Sequence, residues 1–139
     1  MLEIRLPYPP TMNRAWRMVN GRMLISREGR LYRRQVGVIL AANGVRPIPG
    51  RLALAIHVRP LDQRRRDLDN VQKGMLDAME IGGAYEDDSQ VDLLVTRRGP
   101  VVAGGDVHVG YKLGPRPPRL DSEDDLPEYV PSANEEVPF

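Results

Sequence analysis

The chain has no cysteine, and that absence removes disulfides, thiolate zinc sites and thiol nucleophiles together. No apolar run approaches the ~20 residues that span a bilayer, and the opening MLEIRLPYPP lacks a signal-peptide pattern. A cytoplasmic protein with no membrane partner is therefore expected. Lysine is scarce: of 20 bases only Lys73 and Lys112 are lysines, and the rest are arginines. Phenylalanine occurs once, at the final position, and tryptophan once, at Trp16. With 139 residues there is room for one domain and one core, and little more.

What is present is unevenly placed. Residues 1–113 carry 18 bases against 12 acids. Residues 114–139 carry seven acids (Asp121, Glu123, Asp124, Asp125, Glu128, Glu135, Glu136) against Arg116 and Arg119. The net charge of +1 conceals this split. Arginine's planar fork suits phosphates and base edges, so the basic body points to nucleic acid and the acidic extension to a different partner. Residues 114–134 place Pro115, Pro117, Pro118, Pro127 and Pro131 among acids with few large apolar groups. They cannot bury enough surface to offset their ordering entropy and are expected to be disordered.

The body alternates strands and helices. Residues 2–6 alternate apolar and polar, which predicts a strand, and Pro7, Pro9 and Pro10 stop it. Residues 11–25 form a basic loop or hairpin holding Asn13, Arg14, Trp16, Arg17 and an Asn20-Gly21 turn signal. Ser26 is placed to cap a helix over about 27–42, which Asn43-Gly44 ends. Residues 51–59 alternate strictly, with Leu52, Leu54, Ile56 and Val58 on one face. A second helix runs to about Ile81, with Leu68, Val71, Met75 and Met79 inside and Asp69, Lys73, Asp77 and Glu80 in a polar stripe. Residues 90–98 and 105–113 read as strands joined by a turn at Gly99–Gly104. The expected class is α+β, in the order β-α-β-α-β-β, with a mixed sheet and two helices packed on one face.

The densest charge lies at RRRDLDNVQK, residues 64–73. Arg64, Arg65 and Arg66 run into Asp67 and Asp69, with Lys73 one helical turn beyond. Each feature has an ordinary reading by itself: Asp67 as a helix cap, Asp69-Lys73-Asp77 as a surface ladder, the arginines as a solvated run. At a helix entrance the chain is not yet helical, so two carboxylates two residues apart can converge on one point. A second acidic cluster, Glu86-Asp87-Asp88, follows the helix. A helix of about 13 residues spans ~20 Å, so the next strand must return beside the entrance if the two clusters are to meet. Gathered carboxylates repel one another unless a cation joins them, and hard oxygen donors select Mg²⁺ or Mn²⁺. Such a metal bridges to phosphate oxygens, which explains why arginines and aspartates would share one site. His57 and His108 have no partner at ligand spacing and read as packing or surface residues. Trp16 reads equally as a stacking platform or a core anchor.

Taken in order, LPYPPTMNR (6–14), RRRDLDNVQKGMLDAM (64–79) and EDDSQV (86–91) resemble the RusA family of Holliday-junction resolvases, over about residues 2–113. The resemblance implies a homodimer that cuts four-way DNA junctions with Mg²⁺. It places the essential acids on Asp67, Asp69 and Asp88, the lysine on Lys73, and the preceding arginine on Arg66. Arg64, Arg65, Asn13, Arg14 and Arg17 are further DNA-binding candidates. A non-catalytic branched-DNA-binding recombination accessory protein is the alternative, although its acids would weaken phosphate binding if they held no metal. Nothing after residue 113 belongs to that pattern. There the terminal NEEVPF, with Glu135, Glu136, Val137, Pro138 and Phe139, is similar to the C-terminal tip of bacterial single-stranded DNA-binding proteins. That likeness implies docking to proteins that recognise such tips.

Overall fold

A computed structural model describes residues 2–113. The acidic extension, with its candidate tip at Glu135, Glu136, Val137, Pro138 and Phe139, lies outside the described residues. Strand β1 (Leu2–Pro7) buries Ile4 and Leu6 and turns Glu3 and Arg5 outward, as its alternation predicts. A single helical turn, α1 (Met12–Ala15), follows under a Thr11 cap. Next, β2 (Trp16–Val19) and β3 (Arg22–Ile25) pair antiparallel as a sheet of their own. Their turn, Asn20-Gly21, has φ of 50° and 76°, the left-handed pair whose twist matches a tight hairpin.

Helix α2 (Arg27–Ala42) begins where Ser26 Oγ accepts the Gly29 N–H at 3.1 Å. Strand β4 (Leu52–Arg59) precedes helix α3 (Leu68–Gly82), which stops at Gly83. A short 3₁₀ turn, Asp88–Gln90, leads into β5 (Val91–Arg98), and β6 (Asp106–Leu113) completes the described chain. The main sheet has the order β1-β6-β4-β5, antiparallel except where β4 and β5 run parallel. It is a mixed sheet, as expected.

Two expectations change. The described residues contain three helices rather than two, and the segment at 11–25 adds a helical turn and two strands to the predicted order. The last two strands do not pair with each other either. They flank β4, so the connection between them crosses over its end. That crossing is tight: a side chain at Gly105 would meet the Leu61 backbone nitrogen at 3.0 Å, and its φ of 63° suits glycine. β4 is consequently central and buried on both faces, including Ala53, Ala55 and His57.

One core holds the elements together. Tyr32, Val36 and Leu40 of α2 and Val71, Met75 and Met79 of α3 meet Leu54, Ile56, Val58, Val107, Val109 and Tyr111 of the sheet. Registered partners share a face in antiparallel pairs, so both long helices lie on one side of the sheet. Where α2 and α3 cross, a Cβ on Gly82 would come 2.8 Å from Leu40 Cδ1 and 3.3 Å from the Gly37 Cα. Glycine permits that close approach. His57 and His108 are buried cross-strand partners on the opposite face, in keeping with a packing role.

Candidate active site

The entrance of α3 is shaped by the loop before it. Asp62 receives both terminal nitrogens of Arg66, one of them at 3.1 Å, and the Arg64 N–H at 2.9 Å. These bonds hold its carboxyl well below the usual range, to about 2, with the Arg66 hydrogen bond the largest cause. The Arg66 guanidinium also lies 5.8 Å from the Tyr8 ring centroid. Arg98, at the end of β5, donates to the Arg66 carbonyl. The backbone just before Asp67 is therefore fixed from three directions, by a loop, a strand and an aromatic ring.

Asp67 occupies the N-cap position of α3, yet its side chain makes no capping hydrogen bond and is exposed. The ordinary reading of this residue as a cap does not hold. Grooves open on both sides of it. One, of about 420 Å³, has an apolar floor at Val58 and Val71 and arginine walls at Arg64, Arg65, Arg66 and Arg98. The other, of about 370 Å³, is walled by Pro9, Pro10, Thr11, Asn13 and Asn70 and shares Tyr8, Arg65, Arg66 and Asp67 with the first. Asp69, in the first helical turn, accepts the Asn70 N–H at 3.0 Å, and Lys73 is exposed one turn further on.

Of the candidate DNA-binding residues, Arg64, Arg65, Arg66 and Asn13 line these grooves. Arg66 turns inward to Asp62, leaving Arg64 (82 % exposed) and Arg65 to face solvent. Arg14 lies exposed on α1, and Arg17 lies exposed on β2. Trp16 is half-buried at the base of the hairpin, with the Arg33 guanidinium 5.4 Å from its ring centroid.

The second acidic cluster forms at the other end of α3. Glu80 accepts the Asp88 N–H at 3.0 Å, and Asp87 accepts the Ser89 N–H at 2.8 Å, which lowers the Asp87 carboxyl from its ordinary value. Gln90 accepts the N–H groups of Glu86 and Asp87 and donates to the carbonyls of Ile48 and Gly50, so the turn is locked on both sides. Carboxylate oxygens of Glu80, Asp87 and Asp88 lie within 4.8 Å of one another. Hard donors at that spacing fit a divalent cation. The closeness of the three acids to a helix C-terminus adds repulsion that a cation would relieve.

Within one chain, then, Asp88 does not join Asp67 and Asp69. Thirteen residues of helix, ~20 Å at 1.5 Å each, separate Glu80 from Asp67. β5 does return alongside α3, as Gln72 Nε2 donating to Thr96 Oγ1 at 2.7 Å shows. It delivers Arg98 to the entrance, because the acids precede the strand and stay behind. Sequence reasoning missed Tyr8, Asp62, Glu80 and Arg98 as site residues. Asp62 four residues before Arg66, and Glu80 within the polar stripe, were visible signals; Tyr8 and Arg98 arrive only through the sheet.

Known proteins give this geometry a context. The family model described as Endodeoxyribonuclease RusA matches residues 7–110. The chain is similar to a crossover junction endodeoxyribonuclease rusA of Enterobacteria phage HK97, 40 % identical over 78 % of this chain and 89 % of that protein. It is likewise similar to that of Enterobacteria phage 82, 40 % identical over 74 % of this chain and 87 % of the relative. The same enzyme of Escherichia coli (strain K12) is 41 % identical over 74 % of this chain and 87 % of its own. The match covers both ends of α3 and the grooves at its entrance, and the chain belongs to the RusA family of endodeoxyribonucleases.

Proposed function

We propose that this chain is a Mg²⁺-dependent endonuclease that resolves four-way DNA junctions in the cytoplasm, acting as a homodimer through a body at 1–113. One observation carries the reading: Asp67 stands at a helix cap without capping, open to grooves walled by arginine. A carboxylate withheld from its structural bond and set among phosphate-binding groups is arranged for chemistry. Arg64 and Arg65 hold the DNA backbone, and the amino group of Lys73 meets charge developing on the scissile phosphate. Asp67, Asp69 and Asp88 are the residues that would hold the metal. A bound Mg²⁺ or Mn²⁺ would supply an activated water and neutralise phosphate charge.

The ~20 Å separation gives the homodimer a specific job. If two chains pack so that the α3 entrance of one meets the far end of the other, Asp67 and Asp69 gain the partner's Asp88. A two-fold axis generates that meeting twice, which matches two symmetric cuts in one junction. The test is a labelled four-way junction beside a linear duplex, each with and without Mg²⁺. Cutting of the junction alone, and only with metal, is expected. Tight junction binding with no cutting in any divalent metal would leave the non-catalytic accessory role instead.

The extension at 114–139 adds a second element to the reading. Its tip, Glu135, Glu136, Val137, Pro138 and Phe139, recruits proteins that recognise the tail of single-stranded DNA-binding protein. An aromatic ring in an apolar pocket, a terminal carboxylate on a basic residue and acids on a basic rim supply the recognition. Deleting Phe139 should abolish binding of a labelled tail peptide while leaving junction cutting unchanged. Loss of restraint on cutting instead would show that the tail folds back on the basic body.

A further inference from the structure

Apart from Arg17, a DNA-binding candidate, the β2–β3 hairpin has no part in the nuclease reading. Its register puts Trp16 opposite Ile25 and Met18 opposite Met23 on one face, and Arg17 opposite Leu24 and Val19 opposite Arg22 on the other. The first face is wholly apolar. At its base Trp16 and Ile25 are half-buried, but toward the turn Met18 is 64 % and Met23 57 % exposed. An isolated two-stranded hairpin is marginal in water, so its base must be held elsewhere. It is: Ser26 donates from its backbone N–H to the Ala15 carbonyl at 2.7 Å and from Oγ to the Arg14 carbonyl. Arg30 reaches the Ile25 carbonyl at 3.1 Å. Gly29 lies so close that a Cβ there would sit 2.6 Å from the Ala15 oxygen. The base is fixed to α2, and the apolar tip is left outside.

Charge selects the occupant. No acid occurs between Glu3 and Glu28, and the hairpin and its flanks carry Arg14, Arg17, Arg22 and Arg27. These arginines attract a polyanion, whereas a second copy of the hairpin packed on the methionine face would bring two basic, acid-free segments close together. Position favours the same occupant. The segment entering the hairpin, Pro9 to Asn13, is the wall of the groove beside Asp67. Strands of four residues carry the turn only ~13 Å beyond that wall.

We propose that the hairpin is a wedge for branched DNA: Met18 and Met23 insert against unstacked base pairs at the branch point while Arg17 and Arg22 hold the adjoining phosphates. Apolar side chains are a common means of prising apart base steps, and a junction offers steps whose stacking is already interrupted. The wedge would make the choice of four-way junction over duplex a property of the hairpin, and it rests on the junction-binding reading above.

The experiment uses the full chain in EDTA with a four-way junction carrying 2-aminopurine at the branch. Wild-type binding should raise the fluorescence as the base unstacks. Met18→Ser/Met23→Ser should abolish the rise and cut the preference for junction over linear duplex at least ten-fold, with an unchanged salt dependence. Met18→Leu/Met23→Leu should keep both. A serine variant with the full rise and full preference overturns the wedge. So does a serine variant that turns from dimer to monomer, because the apolar face then belongs to a second copy. A benzophenone side chain at position 18 supplies an independent measurement: cross-links to branch nucleotides are expected, and cross-links only to protein reject the proposal. If the wild type itself prefers duplex to junction, the functional reading fails first, and the two failures are distinct.

Discussion

The two ends of α3 are built on opposite plans. At the entrance, one uncommitted carboxylate stands among four arginines, beside two open grooves. At the exit, Glu80, Asp87 and Asp88 crowd together in a turn locked by Gln90, and no base lies in the last helical turn. The positive pole of the helix thus opens on arginine-walled grooves, where an anion is favoured, and the negative pole carries acids that only a cation would favour. In the function proposed above each end holds half of what phosphodiester hydrolysis needs, and the helix between them keeps those halves apart within one chain.

The sharpest break of that contrast is complementation between two inactive proteins. Asp67→Asn and Asp88→Asn should each abolish junction cutting. If the halves meet across a dimer, mixing the two variants under conditions that exchange subunits creates one intact site per heterodimer, and nicking should reappear. Nicking that stays absent in a verified heterodimer confines each site to one chain.

The next effect belongs to the entrance alone. Lys73→Ala should lower the cleavage rate by about 10²-fold or more with junction affinity nearly unchanged, as for a contact made chiefly in the transition state. A loss in affinity as large as the loss in rate would assign Lys73 to ground-state binding. Arg64→Ala/Arg65→Ala should act in the reverse sense, weakening binding and flattening its dependence on salt by about two counterions. Identical salt slopes would remove both arginines from the DNA interface.

The smallest effects separate the two ends by stability. Asp67→Ala removes no capping bond and should leave the melting temperature almost unchanged, whereas Asp87→Ala breaks a capping box and should lower it by a few degrees. Acid distinguishes the loop before the entrance as well. The Asp62 carboxyl is depressed to about 2, so its support for Arg66 is fully present above the ordinary Asp value of ~3.9 and is lost as pH falls toward 2. NMR titration of Asp62 checks this; a midpoint near 3.9 would mean that the Arg66 pair does not persist in solution.

Much of the architecture was legible because its causes are local. Ser26 and Asn43 bound α2 where the sequence puts them, since a cap is a matter of a few neighbouring residues. Asn20-Gly21 announced a hairpin for the same reason. Alternation makes the strand from 51 to 59 legible, but alternation describes one buried face, and Ala53, Ala55 and His57 on the other side of β4 are buried too. Nothing in residues 91–113 distinguishes strands paired with each other from strands that straddle a third.

The sequence by itself determined the chemistry available: carboxylates without thiolates, arginine rather than lysine, and two acidic groups separated by one helix. It determined that separation as well, because the rise of a helix is set by its hydrogen bonds and not by its context. Only the tertiary structure decided what stands beside each group. Strand order brings Arg98 to the entrance, Asp62 turns Arg66 inward, and Glu80 joins Asp87 and Asp88 across a turn. Those neighbours come from chain crossings over many residues, whose outcome depends on burying the whole core at once rather than on any single stretch.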